Sequence, residues 1–157
     1  MTLAERLGEA LSQRRWTIST VESCTAGGLA YRITEVPGSS TYFLGGVVAY
    51  DNRVKVDWVG LPERIFAEHG AVSEEAARSM SENGRSRFDT DLCVAITGIA
   101  GPGGGTAEKP VGTVFISASS RTETRTERFQ FEGDRETVRQ RSIDAALGAA
   151  LDLLAAG

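Results

Sequence analysis

The stretch Val21-Glu22-Ser23-Cys24-Thr25-Ala26-Gly27-Gly28 decides how this chain folds. A β-branched run, Thr17 to Glu22, precedes it and reads as a strand. A helical run over residues 26–35 follows. A hydroxyl or thiol is thereby placed at the mouth of a strand-to-helix turn. The N–H groups of the helix start would point at whatever binds there.

Working outward, Leu3, Leu7, Ala10 and Leu11 recur at helical spacing and predict a helix over residues 2–15. Pro37-Gly38-Ser39-Ser40 is a turn cluster. Phe43 to Tyr50 reads as a Gly-containing apolar strand buried on both faces. Residues 51–59 are expected to be helical, and Pro62 to open a further short helix. Ser73, followed by Glu74 and Glu75, is an N-cap with an acidic first turn, opening a helix to about Phe88. Leu92 to Ile96 is a compact strand. Thr113–Ala118 and Glu127–Phe131 read as a hairpin. Asp134 caps a final helix to Ala156, with Val138, Ile143, Ala146, Leu147, Ala150, Leu151 and Leu154 facing inward.

This alternation predicts an α/β fold: one domain, with a mixed, mostly parallel sheet covered by helices on both faces. The 157 residues suffice for one domain with a real core, and no linker or repeat divides them. In such sheets ligands bind at the carboxyl ends of strands. Ser23, Tyr50 and Thr97 all fall at predicted carboxyl ends, so a shared site is expected there.

Composition narrows the function. A net charge of −4 leaves no electrostatic footprint for nucleic acid. No apolar run approaches the roughly 18 residues of a membrane span. The amphipathic start, carrying Glu5 and Glu9, is unlike a signal peptide. With two cysteines, read as free, a reducing cytoplasmic setting is expected. His69, Cys24 and Cys93 are scattered and match no zinc-ligand spacing.

The chemistry-bearing groups are few. A serine needs a base to become a nucleophile. The one histidine, His69, reads as a polar loop residue. A lysine with a lowered pKa could replace it. Only Lys55 and Lys109 are available. On spacing alone Lys55 reads as a surface partner of Asp51, one helical turn away. Lys109 reads as a solvated charge in a loop. Cys24 is a rival nucleophile, because a helix start can lower a thiol pKa, but it also suits packing. The glycine-rich Thr97–Thr106 segment reads as a ligand-binding loop. It is neither a Walker A loop nor a dinucleotide fingerprint. Arg135 and Arg139 lie one turn apart and could clamp a phosphate, although spacing alone favours a solvated basic face.

Several segments together resemble the CinA C-terminal domain family, whose characterised members are nicotinamide-nucleotide amidases. They are Glu22-Ser23-Cys24-Thr25, Val36–Ser40, Phe43–Lys55, His69–Ser73, Thr97–Gly105, Lys109–Thr113 and Gly133-Asp134-Arg135. They span nearly the whole chain. One departure is Ala26, where many relatives carry glycine. It is of little consequence unless φ is positive there.

The resemblance implies a three-layer α/β/α fold in the stand-alone amidase form. It implies hydrolysis of nicotinamide mononucleotide to nicotinate mononucleotide and ammonia, in pyridine nucleotide salvage. Ser23 would be the nucleophile, Lys55 its general base, and Tyr50 a proton-transfer aid or a support for the lysine. Ser40 and Thr97 would bind or orient substrate, with Gly98 and Gly101 of the loop. Arg135 or Arg139 would contact the phosphate or ribose. From the turn itself, N–H groups between Thr25 and Gly27 are expected to form the oxyanion hole. No metal or other cofactor is required. The expected partners are the small-molecule nucleotide and further copies of the chain in a homo-oligomer, with no nucleic acid and no membrane.

Overall fold

A computed structural model describes all of residues 1–157. Its elements follow the expected alternation: α1 (Leu3–Arg14), β1 (Ile18–Glu22), α2 (Gly28–Thr34), β2 (Phe43–Val48), α3 (Asn52–Asp57), α4 (Arg64–Glu68), α5 (Glu74–Phe88), β3 (Leu92–Gly98), β4 (Thr113–Ser120), β5 (Thr124–Gln130) and α6 (Arg135–Ala156). Local chemistry sets their ends. Thr2 and Glu5 form a capping box on α1. Ser73 Oγ accepts from Ala76 N on α5, and Asp134 accepts from Thr137 N on α6, as their positions predict.

The five strands lie in the order β2-β1-β3-β4-β5. β1 pairs in parallel with both β2 and β3, while β4 runs antiparallel to β3 and β5. Four of the five strands therefore point the same way and β4 alone is reversed. The pairings themselves divide evenly, because the last two strands form a hairpin.

Each face of the sheet carries its own core. On one face α1, α2 and α6 bury Leu7, Leu11, Leu29, Ile33 and Leu147 against Ile18, Val94, Ile96 and Ile116. On the other, α5 and the α3–α4 region bury Met80, Val59, Leu61 and Ile65 against Val21, Cys93 and Ala95. Each fully buried Leu or Ile contributes about 1.5–3 kcal/mol. α5 lies close on the sheet because Gly84 has no side chain. A Cβ there would stand 2.5 Å from Val21 Cγ2 and 2.8 Å from Cys93 Sγ. The inward set expected on α6 is buried except Leu151, which is half-buried, and Leu153 joins it.

One expectation is corrected. β2 is not buried on both faces. It is an edge strand paired only with β1, its burial alternates, and Leu44 and Val48 are 51% and 49% exposed. Apolar composition does not distinguish an edge strand from a central one.

The β1–α2 turn holds a left-handed residue that is not glycine. Ala26 has φ +49, followed by Gly27 at +96. The left-handed region costs a Cβ-bearing residue about 1–2 kcal/mol, and glycine's greater freedom when unfolded returns about 0.5–1 kcal/mol of that. Ala26→Gly is therefore expected to raise Tm by about 1–3 °C in a thermal melt. A lower Tm would show that the alanine is not strained.

Candidate active site

Three strand ends build the site. Beyond β1, Ser23 N donates to Ile96 O at 3.0 Å, which extends the ladder by one residue and fixes the serine beside β3. Beyond β2, Ala49 N donates to Glu22 O at 2.7 Å, so Tyr50 leaves the sheet next to Ser23. Asp51 then caps α3, accepting from Arg53 N at 2.8 Å. At the end of β3, Thr97 Oγ1 donates to Ala71 O at 2.8 Å and ties the segment before α5 to the site.

Lys55 is the main departure from spacing. It is not a surface partner of Asp51, because its side chain is only 2% exposed. Its ammonium donates to Tyr50 O at 3.1 Å. Burial, working against the attraction of nearby Asp51, holds its pKa below the ordinary lysine value. Tyr50 thus supports the lysine through its main chain. Its hydroxyl, facing outward, accepts from Arg135 Nη2 at 3.1 Å. Arg135 Nη1 also donates to Gly101 O at 2.9 Å, pinning the glycine-rich loop. Lys109 is not simply solvated: it holds the same loop from the far side, donating to His69 O at 2.7 Å. His69 sits between Glu68 and Glu75 as a loop residue, outside the cavity.

The result is a cavity of about 300 Å³, the lower end of small-molecule sites. It brings together Ser23, Tyr50, Lys55, Thr97, Gly98, Gly101 and Arg135. Two cations line it and no carboxylate does. Asn52, which the sequence reading passed over, also lines it. The signal was available: Asn52 and Lys55 are three apart on a helix and share a face.

Four expected residues do not line this cavity. Ser40 lies in the turn before β2, at the amino ends of the parallel strands. The site is at their carboxyl ends, about 20 Å away along a six-residue strand. Thr25 turns its hydroxyl inward to Glu22 Oε1 at 2.6 Å. Gly27 faces a separate groove behind the turn, together with Arg139. Arg139 donates from Nε to Cys24 O at 2.8 Å, supporting the turn from behind.

The helix start is likewise not open to a ligand. Gly28 N donates to Thr25 O, and Leu29 N and Ala30 N donate to the Glu22 carboxylate. Ala26 N bonds back to Ser23 O. Of the N–H groups expected to form the oxyanion hole, that of Ala26 is already taken by Ser23 O, and neither Thr25 nor Gly27 lines the cavity.

Cys24 borders the same cavity but belongs to the core under α2 and α6. It is 5% exposed, and burial pushes its thiol up to about 11. A thiol so raised is a poor source of thiolate near neutral pH. No group of three or more His, Cys, Asp or Glu side chains is placed to hold a metal ion.

The CinA C-terminal domain profile matches residues 1–154. This chain belongs to that family. Its fold is that of a CinA superfamily protein from Klebsiella pneumoniae 700603, with TM-score 0.95 and 33% identity, covering 99% of this chain and 97% of the other. A competence/damage inducible protein of Agrobacterium tumefaciens superposes with TM-score 0.94 at 35% identity, over 98% and 93% of the two chains. The family includes both short and long proteins. The chain is 45% identical over 146 residues, 93% of its length, to a CinA-like protein of Desulfotalea psychrophila, and spans only 35% of that relative. It is also 45% identical over 152 residues to the nicotinamide-nucleotide amidohydrolase PncC of Pseudomonas putida. That alignment covers 97% of this chain and 95% of PncC.

Proposed function

We propose that this protein hydrolyses the carboxamide of nicotinamide mononucleotide, giving nicotinate mononucleotide and ammonia. The observation that carries the reading is the almost fully buried Lys55 in the same cavity as Ser23. A desolvated lysine whose pKa is held below the ordinary lysine value gives up its proton more readily, which is what a serine nucleophile needs of its base. The name and near full-length match of the Pseudomonas putida relative support the same substrate.

In the proposed cycle Lys55 Nζ takes the Ser23 proton as Oγ attacks the carboxamide carbon. The tetrahedral intermediate collapses, the C–N bond breaks, and the lysine returns the proton to the leaving ammonia. Water, deprotonated by the same amine, then hydrolyses the acyl-serine to the acid. The first N–H groups of α2 are taken by Glu22 and do not serve the oxyanion. Arg135, at the mouth of a cavity that no carboxylate lines, suits the phosphate end of the substrate. Both cysteines are free and buried, which suits a reducing compartment, and we place the reaction in the cytoplasm.

The direct test is release of ammonia and nicotinate mononucleotide from nicotinamide mononucleotide by the purified chain. Binding without release would leave a nucleotide-binding module instead. For the phosphate end, Arg135→Ala is expected to raise KM about tenfold to a hundredfold, the loss of one charge-assisted contact, with a smaller change in kcat. An unchanged KM would remove Arg135 from substrate binding.

A further inference from the structure

We infer that Glu22, a buried carboxylate outside the catalytic cavity, is a positioning residue for Ser23. The inference rests on the amidase reading above. Glu22 is the last residue of β1 and is 1% exposed. One carboxylate oxygen accepts from Thr25 Oγ1 at 2.6 Å and from Leu29 N at 2.8 Å. The other accepts from Ala30 N at 3.0 Å. The main-chain oxygen of the same residue accepts from Ala49 N at 2.7 Å.

Burying a carboxylate is costly unless its oxygens are satisfied. Here three donors satisfy it, and all three come from the segment just after the nucleophile. The residue before Ser23 is thereby tied to the residues after it, closing the turn that presents Oγ to the cavity. Arg139 holds the next carbonyl, Cys24 O, from α6. The carboxylate is not among the groups that line the cavity, so it has no route to the substrate as an acid or base. Its effect passes through the serine's position, and displacements of about 1 Å at a reacting atom cost up to about a hundredfold in rate.

Thr25 allows the test without removing the buried charge. Steady-state ammonia release from nicotinamide mononucleotide is compared for wild type, Thr25→Ala, Thr25→Ser and Glu22→Gln, with folding checked by thermal melts. Thr25→Ala is expected to lower kcat about tenfold with KM within about twofold, and Thr25→Ser to recover most of that loss. Glu22→Gln is expected to lose about a hundredfold in kcat, because its amide nitrogen would face Ala30 N–H, donor against donor. The pH at which the rate rises stays where it is, since Lys55 is untouched. A raised KM with unchanged kcat would make Thr25 a substrate contact and overturn the inference. Equal losses in Thr25→Ala and Thr25→Ser would also overturn it.

A second readout separates this inference from the amidase reading. If the wild type releases no ammonia, that reading fails. The positioning role is then read from the rate at which a fluorophosphonate labels Ser23. Slower labelling in Thr25→Ala than in wild type supports it, and equal rates, or no labelling of the wild type, overturn it.

Discussion

Ser23→Ala is expected to abolish ammonia release from nicotinamide mononucleotide while the protein stays folded. Ser23 lies where β1 has just left the sheet, and its N–H, not its hydroxyl, holds it to β3. Removing Oγ therefore leaves the ladder intact. It removes the only atom proposed to form a covalent bond with substrate, a loss on the order of 10⁴- to 10⁶-fold in kcat. Cys24→Ala is the paired control. Its thiol is buried and raised to about 11, so activity should persist. The opposite pattern, with Cys24→Ala inactive and Ser23→Ala active, would transfer the nucleophile to the thiol.

Lys55→Met is expected to separate activity from stability. Loss of the general base should lower kcat about 10²- to 10⁴-fold. The same change removes a buried ammonium whose one hydrogen bond goes to a main-chain carbonyl, so the variant should be more stable at neutral pH by about 1 kcal/mol or more. The pH dependence has a definite sign. The folded pKa of Lys55 lies below the ordinary lysine value of 10.5. Between the lowered value and 10.5 the unfolded chain holds a proton that the native state has lost. Stability from this group therefore rises with pH across that window, and the full penalty applies below the lowered pKa. Lys55→Met should flatten that rise in alkaline denaturation curves. In the wild type, the acidic limb of the pH–rate profile should report the same lowered pKa. A flat profile from about pH 5 to about pH 10 would count against lysine as the base.

The strand ends were legible because strand period and turn chemistry are local, and they correctly placed Ser23, Tyr50 and Thr97 at one mouth. What could not be read depended on distant packing. Asp51 and Lys55 have the spacing of a surface pair. The burial of Lys55 is decided by the direction in which the chain leaves β2 and by the core beneath α3, which composition does not encode. The α2 start looked open to a ligand because nothing local says that the preceding strand's last carboxylate folds back onto it. Arg135 and Arg139 share a helical face. Yet one reaches Gly101 over the cavity and the other Cys24 behind the turn, a division set by where that turn meets α6. β2 read as buried on both faces because edge position is a property of the sheet.

The two cores have a mechanical consequence. The turn that carries Ser23 is seated in the core shared by α1, α2 and α6, whereas the segment that carries Lys55 is seated in the core under α5. Nucleophile and base are thus mounted on opposite sides of one sheet, and β1, paired on both flanks, is the common reference for their separation. Repacking either core moves one member of the pair and leaves the other at rest. Conservative core substitutions at residues that do not line the cavity, such as Leu29→Val on one side or Met80→Leu on the other, would therefore register in kcat as an alignment error before they register as lost stability.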